Sequence, residues 1–493
     1  MKYFNYSALL SSINQLVISA RYQRLILTSS LLFLVLLNQN IIRTIKNSLV
    51  VTLIEPEIIS FIKLYVEVPI TFIVLVIYIK IYSLFSSKQI FNFTLIAFAI
   101  IFAIFGFMLL PNLELYSLDK NLVDNIIYEY PHLKWIMQLV EHWALVLLYV
   151  FGELWTAILY SLLLWELINR VTSVEDSKKD YPIINFFGQI STVLSGLLIV
   201  YLFNNISVNE FDQTLHSINS IQFLFSIVII SIISMFIIHA VLNKFGDSKN
   251  YNKKSNAVLD NAKTSIIENL RFILSSKYVF LISINVMCYS IAIMILEGLW
   301  FAKSRELYPS AESFINYQSQ VLVFIGLSTL FFSILSNYLS SKVAWLLMAL
   351  ITPYSFISFG TIFTFACFIE NKIIIDYALL PIIIFLGSTA HVLGKGTKYA
   401  FFDITKEMCY VPLDNALKAK SKAVIDVFCF HVGKMFGALL PLIIFSIFPS
   451  YTYNDITTCL LFLFIIVCVV WIVTIRKLSD SYKIKIIATS QER

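Results

Sequence analysis

The chain has 493 residues, of which 59% are hydrophobic and 13% charged, and its mean hydropathy is +0.82. Soluble domains carry about 25% charged residues, so this composition excludes an ordinary soluble protein and predicts an integral membrane protein. The net charge of +6 is spread between hydrophobic runs rather than gathered in a patch, which argues against nucleic-acid binding.

The N-terminal stretch MKYFNYSALLSSINQLVISARYQR shows no apolar core ahead of a small-residue cleavage site, so the first span itself is expected to direct insertion. A membrane-spanning helix needs about 20 mostly apolar residues. Twelve windows meet that need: 25–50, 60–83, 90–110, 135–168, 182–203, 221–242, 278–300, 319–340, 343–369, 373–396, 421–447 and 456–476. With twelve spans, the Lys- and Arg-rich segments fall on one side: Lys2, Arg21 and Arg24; Arg170, Lys178 and Lys179; 243–277; 397–422; and the tail with Arg476, Lys477, Lys483 and Lys485. Basic loops favour the cytoplasm, so both termini are expected there. The opposite loops carry Glu114, Asp119, Asp124, Glu210 and Asp212.

The fold expected is an all-α integral membrane protein of about twelve transmembrane helices in two six-helix halves, major-facilitator-like. Its segments are 1–24 (cytoplasmic), 25–242 (first half), 243–277 (cytoplasmic linker), 278–476 (second half) and 477–493 (cytoplasmic tail). The six cysteines form no CxxC pair, and most lie in apolar spans as small hydrophobes. No metal, cofactor or P-loop is indicated, and the chain is not expected to be an enzyme.

Charges inside the spans carry the functional signal. A lysine at a bilayer centre costs about 2.5–3.5 kcal/mol on insertion scales, so intramembrane charges are functional candidates. Asn40, Arg43, Thr44 and Asn47 stand at i, i+3, i+4 and i+7 on one helix face, with Lys46 beside them. The bland alternative has Arg43 and Lys46 snorkelling to the headgroups. Glu153 sits mid-span. Glu297 stands near the end of the seventh window, where it is either functional or interfacial, with Trp300 in an aromatic belt. Lys434 stands near the middle of the eleventh window, where a structural ion pair with Glu153 is the plain reading. Several basic side chains on one path predict transport of a multiply charged organic or phosphate-bearing anion. His391 and His431 offer a proton relay instead.

The same residues carry a resemblance. RTIKNSLV (43–50), FIK (61–63), YIK (78–80), ELW (153–155), EGLW (297–300) followed by LYP (307–309), KYAFFDITKEMCYVPL (398–413) and GK (433–434) stand in the order and spacing of motifs of the ATP/ADP translocase family of obligate intracellular bacteria and plastids. The chain resembles that family over nearly its whole length. The resemblance implies a nucleotide exchanger or importer working by alternating access. It implies substrate-binding roles for Arg43, Lys46, Glu153, Glu297, Lys303 and Lys434. It also implies nucleotide and lipid bilayer as partners, a monomer, and the inner membrane of an intracellular bacterium. Departures are Asn47 for an acidic residue, Phe301 for a lysine, His431 for an arginine, and Met435–Phe436 for Ser–Gly. They point to a nucleotide as substrate more firmly than to ATP. The alternatives are a proton-coupled importer titrating at Glu153, and a non-transporting scaffold or lipid-handling protein.

Overall fold

The computed structural model describes residues 20–172, 174–204, 210–243, 276–340, 342–372, 379–413, 421, 425 and 429–491. Every regular element among them is helical. In the first half these are α1 (Ala20–Leu53), α2 (Ile58–Phe61, Ile62–Glu67 and Val68–Leu84 in unbroken succession), α3 (Ser87–Tyr116), α4 (Lys120–Glu129), α5 (Lys134–Glu141), α6 (Trp143–Val171), α7 (Val174–Phe203) and α8 (Glu210–Leu242). The second half has α9 (Lys277–Leu307), α10 (Ala311–Ser340), α11 (Trp345–Asn371), α12 (Leu380–Tyr410), α13 (Phe430–Ile447) and α14 (Thr457–Gln491). Eleven of these are long and apolar enough to cross a membrane. The remaining predicted span is α2, whose apolar run is interrupted by Lys63, Glu67 and Lys80.

Two irregularities along these helices lie beside prolines. Pro69 has no N–H for the carbonyl one turn back, and α2 widens to a π-helix over Ile62–Glu67 just ahead of it. Pro353 in α11 likewise precedes a π segment, Phe356–Gly360. The first of these wide turns carries Lys63 and Glu67 into the protein interior.

Three expectations are corrected, and the form of the tail is added. The window 135–168 divides at His142 into amphipathic α5 and the spanning helix α6, because Trp135 turns inward and donates its Nε1–H to Phe445 O at 3.0 Å. The charged stretch after 396 is not a loop at its start: α12 continues to Tyr410, with Ala400, Phe401 and Phe402 buried and Lys398 paired to Asp403 at 2.9 Å. The tail beyond 476 is a helical extension of α14, and its Tyr482 packs on Trp345. Trp300 is no belt residue. It is buried, its ring stacks on His391, and its Nε1–H lies 3.2 Å from Ser388 Oγ. The linker lies almost wholly outside the described residues.

The halves meet along α7 and α10, and where α13 packs on the start of α2. Close approach needs glycine at the first contact. A Cβ on Gly196 would lie 2.9 Å from Ser319 O, and one on Gly326 would lie 2.9 Å from Val193 N. At the end of the bundle opposite the termini, hydrogen bonds tie the halves together. Tyr453 N–H donates to Glu57 Oε1 at 2.9 Å, Arg305 Nη2 donates to Ile54 O at 3.0 Å, and the hydroxyls of Ser60 and Tyr453 are 3.3 Å apart. Phe61 stacks on Trp135, and Tyr453 meets Phe445 edge-on. This end is closed.

Glu57 lies in the α1–α2 connection, outside the spans. Burial raises its carboxyl above the usual carboxylate range, against the lowering influence of Tyr453 N–H and Arg305. Proton uptake therefore favours the closed arrangement: the contribution is full at low pH and is lost as pH rises through the raised value. Labels on cysteines placed at Tyr128 and Tyr451 are expected to separate with rising pH. Glu57→Gln should hold them together and flatten the response. A pH response unchanged in that variant would exclude Glu57 as its source.

Candidate functional site

The polar stripe of α1 faces a cavity between the halves. Leu36, Gln39, Asn40, Arg43, Thr44 and Asn47 form one wall, and Asn40 Nδ2 donates to Thr192 Oγ1 of α7 at 3.1 Å. Tyr160 of α6 closes one flank. Opposite stand Glu297, Trp300 and Phe301 of α9, Gln318 of α10, and His391, Lys395 and Tyr399 of α12. The cavity left between these walls is small in this closed arrangement, about 60 Å³.

Two ion-paired groups organise the interior. Glu297 Oε1 accepts from Lys395 Nζ at 2.9 Å and lies 3.8 Å from His391 Nε2. Glu297 is therefore not interfacial. It faces the cavity beside Arg43. The second group joins both halves. Glu153 Oε1 accepts from Lys46 Nζ at 2.8 Å, and its Oε2 accepts from Lys434 Nζ at 3.4 Å. Lys46 is 2% exposed, its Nζ lies 3.4 Å from the centre of the Tyr149 ring, and Asn47 Oδ1 accepts a further bond at 3.3 Å. Snorkelling is thereby corrected for Lys46. Its stem runs over Gly152, where an added Cβ would lie 2.6 Å from Lys46 Cδ, so the glycine before Glu153 makes room for the lysine.

A third lysine lies close by. Lys63 is 5% exposed and donates to Met294 Sδ at 3.2 Å, with no carboxylate within ion-pairing distance among the described residues. Glu67 is buried one turn on. Around these helices, among the described residues, Arg43, Lys46, Lys63, Lys395 and Lys434 stand with Glu67, Glu153 and Glu297.

Of the six residues singled out from the sequence, Arg43 and Glu297 line the cavity, and Lys46, Glu153 and Lys434 form the neighbouring triad. Lys303 joins neither. It pairs with Glu370 at 2.8 Å and Glu306 at 3.3 Å, and Glu306 accepts from Asn454 at the closed end. The residues missed were Lys395, Tyr399, Tyr160, Gln318 and Lys63 as a charge in its own right. Lys395 had a usable signal: an intramembrane lysine one turn after His391, in a span ended too early at 396. The aromatic and amide residues had none, since they are common in any buried helix.

An all-helical bundle of this kind, with charged side chains turned to a cavity between its halves, is the architecture of secondary transporters. It is similar in fold to a D-xylose–proton symporter, with a TM-score of 0.54, 12% identity, and 92% of this chain and 97% of that one covered. A bacterial homologue of the iron transporter ferroportin gives 0.56 and 13%, over 94% and 99%. The chain belongs to the TLC ATP/ADP transporter family, whose profile matches residues 9–482. The relative named ADP,ATP carrier protein 3 of Rickettsia typhi is 32% identical over 462 residues, covering 91% of this chain and 92% of its own. ADP,ATP carrier protein 4 of Rickettsia prowazekii is 35% identical over 470 residues, covering 92% and 90%. The protein is a multi-pass membrane transporter and not an enzyme. The scaffold and proton-coupled alternatives are not favoured.

Removing one partner of a buried ion pair typically costs about 3–5 kcal/mol, because the other charge is left uncompensated. Glu153→Gln strands two lysines and is expected to cost at least that. Thermal unfolding in detergent should show a large loss for Glu153→Gln and a smaller one for Lys434→Met, which leaves the Lys46–Glu153 pair in place. Equal stability of Glu153→Gln and the native protein would contradict this account of the triad.

Proposed function

We propose that this protein carries nucleotides across the inner membrane of an intracellular bacterium by alternating access, exchanging ATP and ADP or a related pair. The observation that carries the reading is the excess of buried positive charge. Among the described residues, five basic side chains face three carboxylates where both halves meet. Buried charge demands a counter-charge, and a di- or triphosphate supplies it. The relatives' names supply the substrate class. The basic segments on the side of the termini support a cytoplasmic location for both ends. One chain, a monomer, provides both halves of the path.

Arg43 and Lys395 are the phosphate-binding groups of the cavity in this reading. Glu297 holds Lys395 when no phosphate does. Lys46, Glu153 and Lys434 form the adjoining part of the site, where Glu153 holds two lysines that the substrate recruits as the halves rock. Lys303 braces the closed end and lies off the path. No covalent step occurs, and the cycle runs on the difference in affinity between the two orientations. Exchange of ATP for ADP moves net charge, worth about 2.3 kcal/mol per charge per 100 mV, so uptake is expected to respond to membrane potential.

The test is uptake of labelled nucleotides into proteoliposomes preloaded with a counter-substrate, with every nucleotide as competitor. A hydrogen bond to a charged group contributes about 1.5–3 kcal/mol. Arg43→Gln and Lys395→Gln should therefore each weaken uptake about 10- to 100-fold, while Lys303→Met retains the native apparent affinity. If no nucleoside di- or triphosphate enters or competes, the reading fails. Native uptake by Lys395→Gln would remove that residue from the site.

A further inference from the structure

One corner of the cavity holds unmet hydrogen-bonding groups in place of paired charges. His391 is 4% exposed, and its Nδ1 has no hydrogen-bond partner among the described residues. Gln318 Nε2 is buried and equally unpartnered. Both residues line the cavity. Buried polar atoms are nearly always satisfied, so two unmet ones in a single wall call for a ligand that meets them.

The surroundings define that ligand. The Trp300 ring stacks on His391 with centroids 4.5 Å apart, and Phe301 stacks on Trp300 at 5.5 Å. Phe301 also packs on Phe314 and Trp300 on Tyr317, which brings these rings to the turn of α10 that carries Gln318. With its proton on Nε2, on the side of Glu297 Oε1 at 3.8 Å, His391 presents Nδ1 as an acceptor. The corner is thus walled by aromatic rings and holds one amide donor and one imidazole acceptor. A flat heteroaromatic ring with a neighbouring acceptor and donor on its edge satisfies all of them. His391 stands one helical turn from Lys395, about 6 Å along the axis. The corner is therefore adjacent to the phosphate-binding groups.

We propose that Trp300, Phe301, Gln318 and His391 form the nucleobase subsite, in which Gln318 and His391 read the edge of the base. This rests on the nucleotide reading above and adds which residues set base preference. Phosphates at Arg43 and Lys395 give affinity common to all nucleotides, while the aromatic corner distinguishes among them.

The experiment is competition of ATP, GTP, CTP and UTP for labelled uptake in the native protein, Gln318→Leu, Gln318→Glu and Lys395→Gln. The native protein is expected to separate the best from the worst base by at least tenfold. Gln318→Leu should reduce that ratio to within about threefold. Lys395→Gln should weaken all four alike and keep the ratio. Gln318→Glu exchanges the amide donor for acceptors and should move the preference toward GTP, whose base offers two neighbouring donors. A native protein that takes up nucleotides without regard to base overturns the subsite. So does a base ratio that survives Gln318→Leu with no reordering in Gln318→Glu. In both outcomes the transport reading stands, whereas the lack of competition by any nucleotide overturns both.

Discussion

The Glu153 carboxylate is the point on which the interior depends. It accepts from Lys46 on α1 and from Lys434 on α13, so one side chain joins helices of both halves. In a medium of low dielectric an unpaired ammonium is far costlier than in water. The shared carboxylate gives both lysines a partner inside the bundle. One carboxylate serves two lysines, and Lys63 stands nearby as a third. The interior is therefore stable but short of negative charge, which is the condition a carrier of anions requires. Full internal pairing would have left nothing for the substrate to do. No pairing would have left the helices unable to pack.

The cavity shows the same economy in different chemistry. Glu297 occupies Lys395 and lies beside His391, much as Glu153 occupies its lysines. The hydrogen bonds between Glu57, Tyr453, Arg305 and Ile54 hold the opposite end shut. They involve connections between helices rather than helix cores. That is where a rocking bundle can break and remake contacts without disturbing the packing of α7 on α10. Tight glycine contacts at Gly196 and Gly326 keep that packed seam narrow, so motion concentrates at its ends.

Much of the fold was legible in the sequence because a membrane imposes one strong rule, about 20 apolar residues per crossing. The placement of eleven of the twelve expected spans follows from it. Legibility ended where helices ran past their apolar stretch. α12 continues through KYAFFDITKEMCY because one face of that charged segment packs inward, and hydropathy averaged over a window is blind to faces. Trp300 was misplaced to the membrane surface for the same reason. Distance along a helix does not report depth when the helix is 31 residues long and extends beyond the span.

By itself the sequence determined a helical membrane protein with two groups of spans, charges inside those spans and a family signature, because hydrophobicity, charge and motif order are all properties of position along the chain. Only the tertiary structure decided who meets whom. Glu153 finds Lys46 at 107 residues' separation and Lys434 at 281. Lys303 looks like its neighbours in sequence yet turns to Glu370 and Glu306, away from the cavity. The physical reason is that a buried charge is defined by its partner, and partners in a bundle are chosen by helix packing and rotation, which no local pattern encodes.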